Sequence, residues 1–126
     1  MAKKAVFLFL VVSLVLASCG SAKKAAFSMY EKSAVATYYA DKFNGKKTAS
    51  GEVFSNNKYT AAHPKLAFGT KLRVTNKVNG KSVVVTVNDR GPFTKGYDLD
   101  LTKKAFMEIS DKKTHGKLTV SIEIAK

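Results

Sequence analysis

Apolar and polar positions alternate along several short stretches of this chain. Lys71-Leu72-Arg73-Val74-Thr75-Asn76-Lys77-Val78 alternates polar with apolar, and Lys117 to Ile124 puts Leu118, Val120, Ile122 and Ile124 on one side. A period of two marks a strand with one buried face. Ser33 to Ala40 is rich in β-branched and aromatic residues and fits a first strand. Asn79-Gly80 is the preferred pair for a tight type I′ turn, so it predicts a two-residue hairpin tip joining Leu72–Val78 to Lys81–Val87. The run Val83-Val84-Val85 predicts a second hairpin strand buried on both faces. One helix is expected, capped by Thr102, with Leu101, Ala105, Phe106 and Ile109 on one side. Asn44-Gly45 and Ala49-Ser50-Gly51 are turn signals. Many short strands and one short helix predict a mainly all-β fold, a small closed barrel.

The first nineteen residues follow a different pattern. Met1 to Lys4 carries two lysines, and Ala5 to Leu16 is apolar except at Ser13. At a helical rise of about 1.5 Å this run spans roughly 18 Å, well short of a bilayer core of about 30 Å. A basic start, a short apolar run and small residues describe a secretory signal peptide over residues 1–18. Leu16-Ala17-Ser18-Cys19-Gly20 resembles a bacterial lipobox, whose cysteine is acylated and becomes the first mature residue. The alternative is an ordinary cleavage site beside a chance cysteine. The lipobox is favoured because Cys19 is the only cysteine, and an unmodified exported thiol is a liability. Residues 19–32 lack alternation and read as a lipid-anchored tether; residues 33–126 read as the domain.

Charge then narrows the partners. Lys and Arg number 22 against 9 acidic residues, a formal net charge of +13, and Arg73 and Arg90 are the only arginines. Loss of Lys3 and Lys4 with the signal peptide leaves +11. Such a balance suits an anionic partner. Export excludes nucleic acid and leaves membrane headgroups and the carboxylate-bearing cell wall. A single cysteine excludes an internal disulfide framework. No cluster has metal-ligand spacing and no glycine-rich phosphate loop follows a strand, so neither a metal nor a cofactor is expected. The chain is expected to act as a monomer.

Five segments in the middle of the chain carry a resemblance. They are Thr48-Ala49-Ser50-Gly51-Glu52-Val53-Phe54, Tyr59-Thr60-Ala61-Ala62-His63-Pro64, Phe68-Gly69-Thr70, Val87-Asn88-Asp89-Arg90-Gly91-Pro92-Phe93 and Asp98-Leu99-Asp100-Leu101-Thr102. In this order they resemble the rare lipoprotein A family, the septal ring lytic transglycosylases, over about Val35 to Ile124. The resemblance implies a six-stranded double-psi β-barrel, shared with expansins, barwin-like proteins and family 45 cellulases. It also implies a non-hydrolytic cleavage of peptidoglycan glycan strands, preferring strands stripped of stem peptides, in cell wall remodelling and daughter-cell separation. In that reaction the muramic acid C6 hydroxyl attacks its own anomeric carbon and leaves a 1,6-anhydro end. A hydrolase uses two carboxyls. A lyase of this kind takes its nucleophile from the substrate, so one partly desolvated acid/base carboxyl can serve both steps.

Asp89 matches the family's catalytic aspartate, at the end of a strand and before a Gly-Pro turn. It is expected to be the acid that protonates the glycosidic oxygen, with Asp89 itself or Glu52 taking the C6 hydroxyl proton; the rival role is a turn cap that bonds nearby backbone amides. His63 and Glu52 match the family's functional histidine and an acidic cleft residue, and the three are expected in one groove. A loop histidine and an exposed strand glutamate are the local alternatives. Asp100 matches a polar-surface aspartate, yet acceptance of backbone amides at the helix start beside Thr102 is the reading favoured for it. Arg90 is a candidate for a substrate carboxylate, with loop carbonyls as its alternative. Tyr38 and Tyr39 are candidates for stacking on sugar rings. There the chain departs from the family, having Thr37-Tyr38-Tyr39-Ala40 where Ser-Trp-Tyr-Gly is usual. His115 reads as a turn residue.

Many members also carry a C-terminal glycan-binding domain that directs them to the septum, and this chain ends at Lys126. Two further readings stand beside the enzyme: a non-catalytic, expansin-like polysaccharide-binding lipoprotein, and a structural lipoprotein that binds another envelope protein. With Gly20 rather than aspartate after Cys19, the expected location is the outer membrane, facing the periplasm. Cys19→Ser is predicted to abolish acylation and release the protein from membranes; membrane fractionation and lipid labelling check this.

Overall fold

The computed structural model describes residues 26–126. The signal peptide, Cys19 and the start of the expected tether lie outside the described residues. The elements in chain order are β1 (Phe27–Tyr38), a 3₁₀ turn (Asp41–Phe43), β2 (Thr60–Ala62), β3 (Lys71–Asn76), β4 (Ser82–Asp89), β5 (Leu99–Leu101), α1 (Lys103–Ile109) and β6 (Leu118–Ala125). Six strands close a barrel in the order β1-β5-β2-β4-β3-β6. β1 runs parallel to β5 and β2 parallel to β4, while the other pairs are antiparallel. The mainly β, closed-barrel expectation is met.

Inward positions alternate as the sequence pattern demands. Leu72 and Val74 of β3, Val83, Val85 and Val87 of β4, and Leu118, Val120 and Ile122 of β6 are buried. β1 and β2 contribute only alanines, Ala34, Ala36 and Ala61. The largest fully buried side chain, Phe106, enters from α1 and stacks against Tyr38 with ring centroids 4.6 Å apart. α1 forms as predicted: Thr102 accepts from the Ala105 amide at 3.4 Å, and Ala105, Phe106 and Ile109 are its buried face.

Three expectations are corrected. The tether does not extend to residue 32, because Phe27 already pairs with Ala125 of β6 and the strand continues from there. Register shifts near Met29, Glu31 and Ala34 break the alternation in this part of β1, which hid it as a strand. β4 is buried on one face only, since Val84 is 45% exposed between Val83 at 7% and Val85 at 1%. Its polar-facing valine reflects the β propensity of a branched side chain rather than burial.

Nor is Asn79-Gly80 a two-residue tip. Asn76 N–H donates to Lys81 C=O at 2.8 Å, so Lys77 to Gly80 form a four-residue loop. A type I′ turn needs positive φ at both central residues, and here only Gly80 has it, at 76°. The Asn79 side chain serves elsewhere: its amide, with that of Asn76, donates to the Ile109 carbonyl at the end of α1, at 3.0 and 2.8 Å. The hairpin loop therefore closes the helix C-terminus, whose carbonyls have no partner within the helix.

One-sided burial of β4 has a direct test. Val85→Thr buries an unpaired hydroxyl and is expected to destabilise the fold by about 1–3 kcal/mol. Val84→Thr is expected to stay within about 0.5 kcal/mol of the parent, and urea denaturation distinguishes the two.

Candidate active site

β2 is three residues long and lies between β4 and β5. Its last residue, Ala62, pairs with Asp89 of β4 on one side and Asp100 of β5 on the other. Two strand spacings, roughly 10 Å, therefore separate the two aspartate backbones. β1 ends beside them, with Thr37 in register with Asp100 and Tyr39 N–H donating to Leu101 C=O at 3.1 Å. A register shift between Ala61 and Ala62 leaves Asn88 outside the ladder. Such a bulge re-aims the next side chain. Without it Asp89 would follow Val85 and Val87 into the core.

Asp89 faces a cleft of about 530 Å³ that Asp100, Tyr38 and Tyr39 also line. Its carboxylate accepts from three donors: Tyr39 O–H at 2.6 Å, Ala49 N–H at 2.8 Å and Arg90 N–H at 2.9 Å. Two of these come from distant parts of the chain, so the carboxylate does more than cap its own turn. The Tyr39 hydroxyl is held protonated, first by burial and then by its bond to Asp89.

Asp100 accepts a hydrogen bond from the Thr37 hydroxyl. Burial raises its pKa above that of an ordinary aspartate; the Thr37 bond opposes this rise and the nearby charge of Asp89 adds to it. The helix-start role favoured for Asp100 is not what it does. Thr102 caps α1 with its own hydroxyl, and Asn56 accepts from the Lys103 and Lys104 amides at 2.9 and 3.1 Å.

The expected groove of three does not form. His63 and Asp89 are joined through the main chain, His63 N–H donating to Asp89 C=O at 3.1 Å. Their side chains part there. The His63 ring is buried and lines a separate pocket of about 140 Å³ with Tyr30, Glu31 and Asp98. Its Nδ1 accepts from the Lys65 and Leu66 amides, both at 3.1 Å, so the neutral ring carries its proton on Nε2. Burial, then the charge of Arg90, lowers its pKa, with Asp98 opposing. Glu52 is exposed on a small loop hairpin, where Thr48 N–H donates to its carbonyl at 2.8 Å. That loop also presents the Ala49 amide to Asp89, so Glu52 adjoins the cleft without lining it.

The other expected binding residues are largely occupied. The Arg90 guanidinium donates to the carbonyls of His63 and Leu66 at 3.2 and 2.7 Å and lies 4.1 Å from the Phe68 ring centroid. It follows the loop-carbonyl alternative. Tyr38 packs on Phe106 and Tyr39 on Phe54, with centroids 4.6 and 4.2 Å apart, so both rings have a face taken by the interior.

The rim of the cleft carries residues to which no sequence motif assigns a role. Phe43, Lys46, Lys47 and Phe93 line the same cleft, and Phe93 is 81% exposed. An aromatic just after Gly91-Pro92 and a lysine pair just after Asn44-Gly45 were the available signals, since turn residues stand at the surface. Among the described residues, no group of three or more His, Cys, Asp or Glu side chains is placed to hold a metal ion.

A closed six-stranded barrel with two parallel pairings and two aspartates flanking a short central strand defines a double-psi β-barrel protein. The sequence signature of the family described as lytic transglycolase matches residues 31–122, and the chain belongs to that family. The probable endolytic peptidoglycan transglycosylase RlpA of Treponema pallidum (strain Nichols) is 49% identical over 90 residues, which make up 71% of this chain and 28% of that protein. The endolytic peptidoglycan transglycosylase RlpA of Pasteurella multocida (strain Pm70) is 48% identical over 82 residues, 65% of this chain and 28% of that one. The chain thus spans little more than a quarter of these relatives. Apo-expansin of Clavibacter michiganensis shares the fold, with a TM-score of 0.61 at 23% identity over 77% of this chain and 51% of that one.

The electrostatics of Asp100 carry a stability consequence. The folded chain binds this proton more tightly than the unfolded chain does. Asp100 therefore favours folding when protonated and opposes it as pH rises through its folded value. Asp100→Asn is expected to raise the Tm at pH 7, with the gain shrinking as pH falls towards about 4, the ordinary aspartate range. Thermal denaturation across that window measures it.

Proposed function

We propose that this chain is an endolytic peptidoglycan lytic transglycosylase in which Asp89 and Asp100 handle the protons. The observation that carries the reading is the pair of aspartates flanking Ala62 in one cleft, the two differing in their surroundings. Asp100, buried beside the charge of Asp89 and so the carboxyl that favours its proton more than an ordinary aspartate does, is assigned the delivery of a proton to the glycosidic oxygen between muramic acid and glucosamine. The bond from that oxygen to the muramic acid anomeric carbon breaks. The C6 hydroxyl oxygen of the same muramic acid bonds to that carbon, and its proton passes to Asp89. The pair gives up one proton and takes up one, and no water enters the products.

Asp89 is held for this by Tyr39, Ala49 and Arg90, an arrangement that fixes a reacting group before substrate arrives. The main chain at His63 helps to position Asp89, His63 N–H donating to the Asp89 carbonyl. Glu52 is the outer carboxyl, on the loop that supplies the Ala49 amide. The chain works in the bacterial envelope on peptidoglycan strands. It is anchored through acylated Cys19 to the outer membrane on its periplasmic side, and it serves wall remodelling and daughter-cell separation.

Mass spectrometry of glycan strands incubated with the full chain tests the reaction. The expected products end in 1,6-anhydromuramic acid; reducing ends would mean a hydrolase, and intact strands a binding module. Asp89→Asn keeps the shape of the side chain and is expected to lower turnover by about 10²–10⁴-fold, the usual worth of one general acid or base. Circular dichroism must show the variant folded. A folded Asp89→Asn protein that cleaves at the parent rate overturns the assignment.

A further inference from the structure

The rim of the Asp89 cleft differs in chemistry from its floor. The floor carries two carboxyls, Asp89 and Asp100, and those alone would repel an anionic ligand. Lys46 and Lys47 stand on the rim. Among the described residues neither takes part in an ion pair, whereas Arg73, Lys81 and Lys103 do. Their main chain is fixed: Phe54 N–H donates to Lys46 C=O at 2.7 Å, and Lys47 bridges to Val53. The Lys46 ammonium lies 5.6 Å from the Phe43 ring centroid, which keeps it beside the cleft. Phe93 borders the same cleft from the loop after Gly91-Pro92 and is 81% exposed, while Tyr38 and Tyr39 are stacked on interior rings. An exposed apolar ring on the same cleft as two cations outside any described ion pair fits a flat sugar face that carries an anion.

We propose that Lys46, Lys47 and Phe93 form a recognition element for acidic sugars, in which Phe93 stacks on the ring and the two lysines pair with a free sugar carboxylate next to the bond to be cleaved. The proposal rests on the glycan-cleaving reading for the position of that bond. The lysines also offset the repulsion between the substrate carboxylate and the two aspartates. A glycan of the same length whose carboxylates are converted to amides offers the same ring faces and loses the ion pairs. Selection by charge is therefore separable from selection by shape.

The test uses the full chain in mild detergent and two probes: glycan strands of alternating glucosamine and muramic acid with free carboxylates, and the same strands amidated by carbodiimide coupling. Affinity is measured by titration calorimetry at low and physiological salt, and cleavage is followed in parallel. Exposed ion pairs are individually weak, so the free-carboxylate strand is expected to bind about fivefold more tightly, with the preference falling as salt rises. Lys46→Gln/Lys47→Gln should bring the ratio close to one, and Lys46→Glu/Lys47→Glu should reverse it. Phe93→Ala should weaken both probes alike. A thermal melt of each variant matching the parent keeps these comparisons free of unfolding. Equal affinity of the parent protein for the two strands overturns the proposal, whether or not either is cut. A preserved preference without cleavage leaves the recognition element standing and sinks the lyase reading.

Discussion

The site depends on the pairing of three residues, Thr60–Ala62, between the eight-residue β4 and the three-residue β5. Through β2 the chain of β4 is joined in parallel on one side and that of β5 antiparallel on the other. This is what brings Asp89, at the end of the long β4, and Asp100, in the middle of the short β5, to the same end of the barrel. Two of its three side chains, Ala61 and Ala62, are small and buried, and Thr60 before them is half-buried. A slip of one residue would turn every side chain of the strand to its other face. It would also change the aspartates' shared partner. The bulge at Asn88 supplies the last adjustment, because strict alternation would carry Asp89 inward after Val87.

Placing two carboxyls on one cleft sets a cost that the surrounding chain offsets unevenly. Asp89 has three donors, two of them main-chain amides, while Asp100 has the Thr37 hydroxyl. Burial acts on Asp100, and the neighbouring charge of Asp89 acts in the same direction. The asymmetry is useful. Two carboxyls with equal surroundings compete for one proton, whereas unequal ones divide the roles of holding and accepting it. Tyr39 links this balance to the fold, since its ring packs on Phe54 while its hydroxyl meets Asp89. A loosened interior at Phe54 would therefore be felt by the Asp89 carboxylate.

Much of this was legible in the sequence, and the illegible parts share a physical cause. Alternation identified β3 and β6 because both keep one face in the core. Thr102 and the spacing of Ala105, Phe106 and Ile109 identified α1. Motif resemblance identified Asp89, whose place at a strand end before Gly91-Pro92 the barrel bears out. By contrast, β2 is too short to show any period. The first half of β1 is bulged, so a true strand looked like a tether. Val84 and Asn79 misled because a residue's intrinsic preference does not say which partner will claim it; tertiary contacts decide that. The same limit explains the tyrosines, Arg90 and His63. Residue type announced a capacity for stacking, pairing or proton transfer, while the fold had already directed those groups to Phe106, Phe54, loop carbonyls and main-chain amides.

β1 begins at Phe27 and ends at Tyr38, on the wall of the cleft. Its pairing with β6 fixes its direction inside the closed barrel, so what it places at its far end is held by the sheet rather than by a local turn. The same strand supplies Thr37 to Asp100 and leads directly into Tyr39 at Asp89. Both aspartates therefore take a hydroxyl donor from one run of chain, and a change in the register of β1 would reach the two carboxyls together.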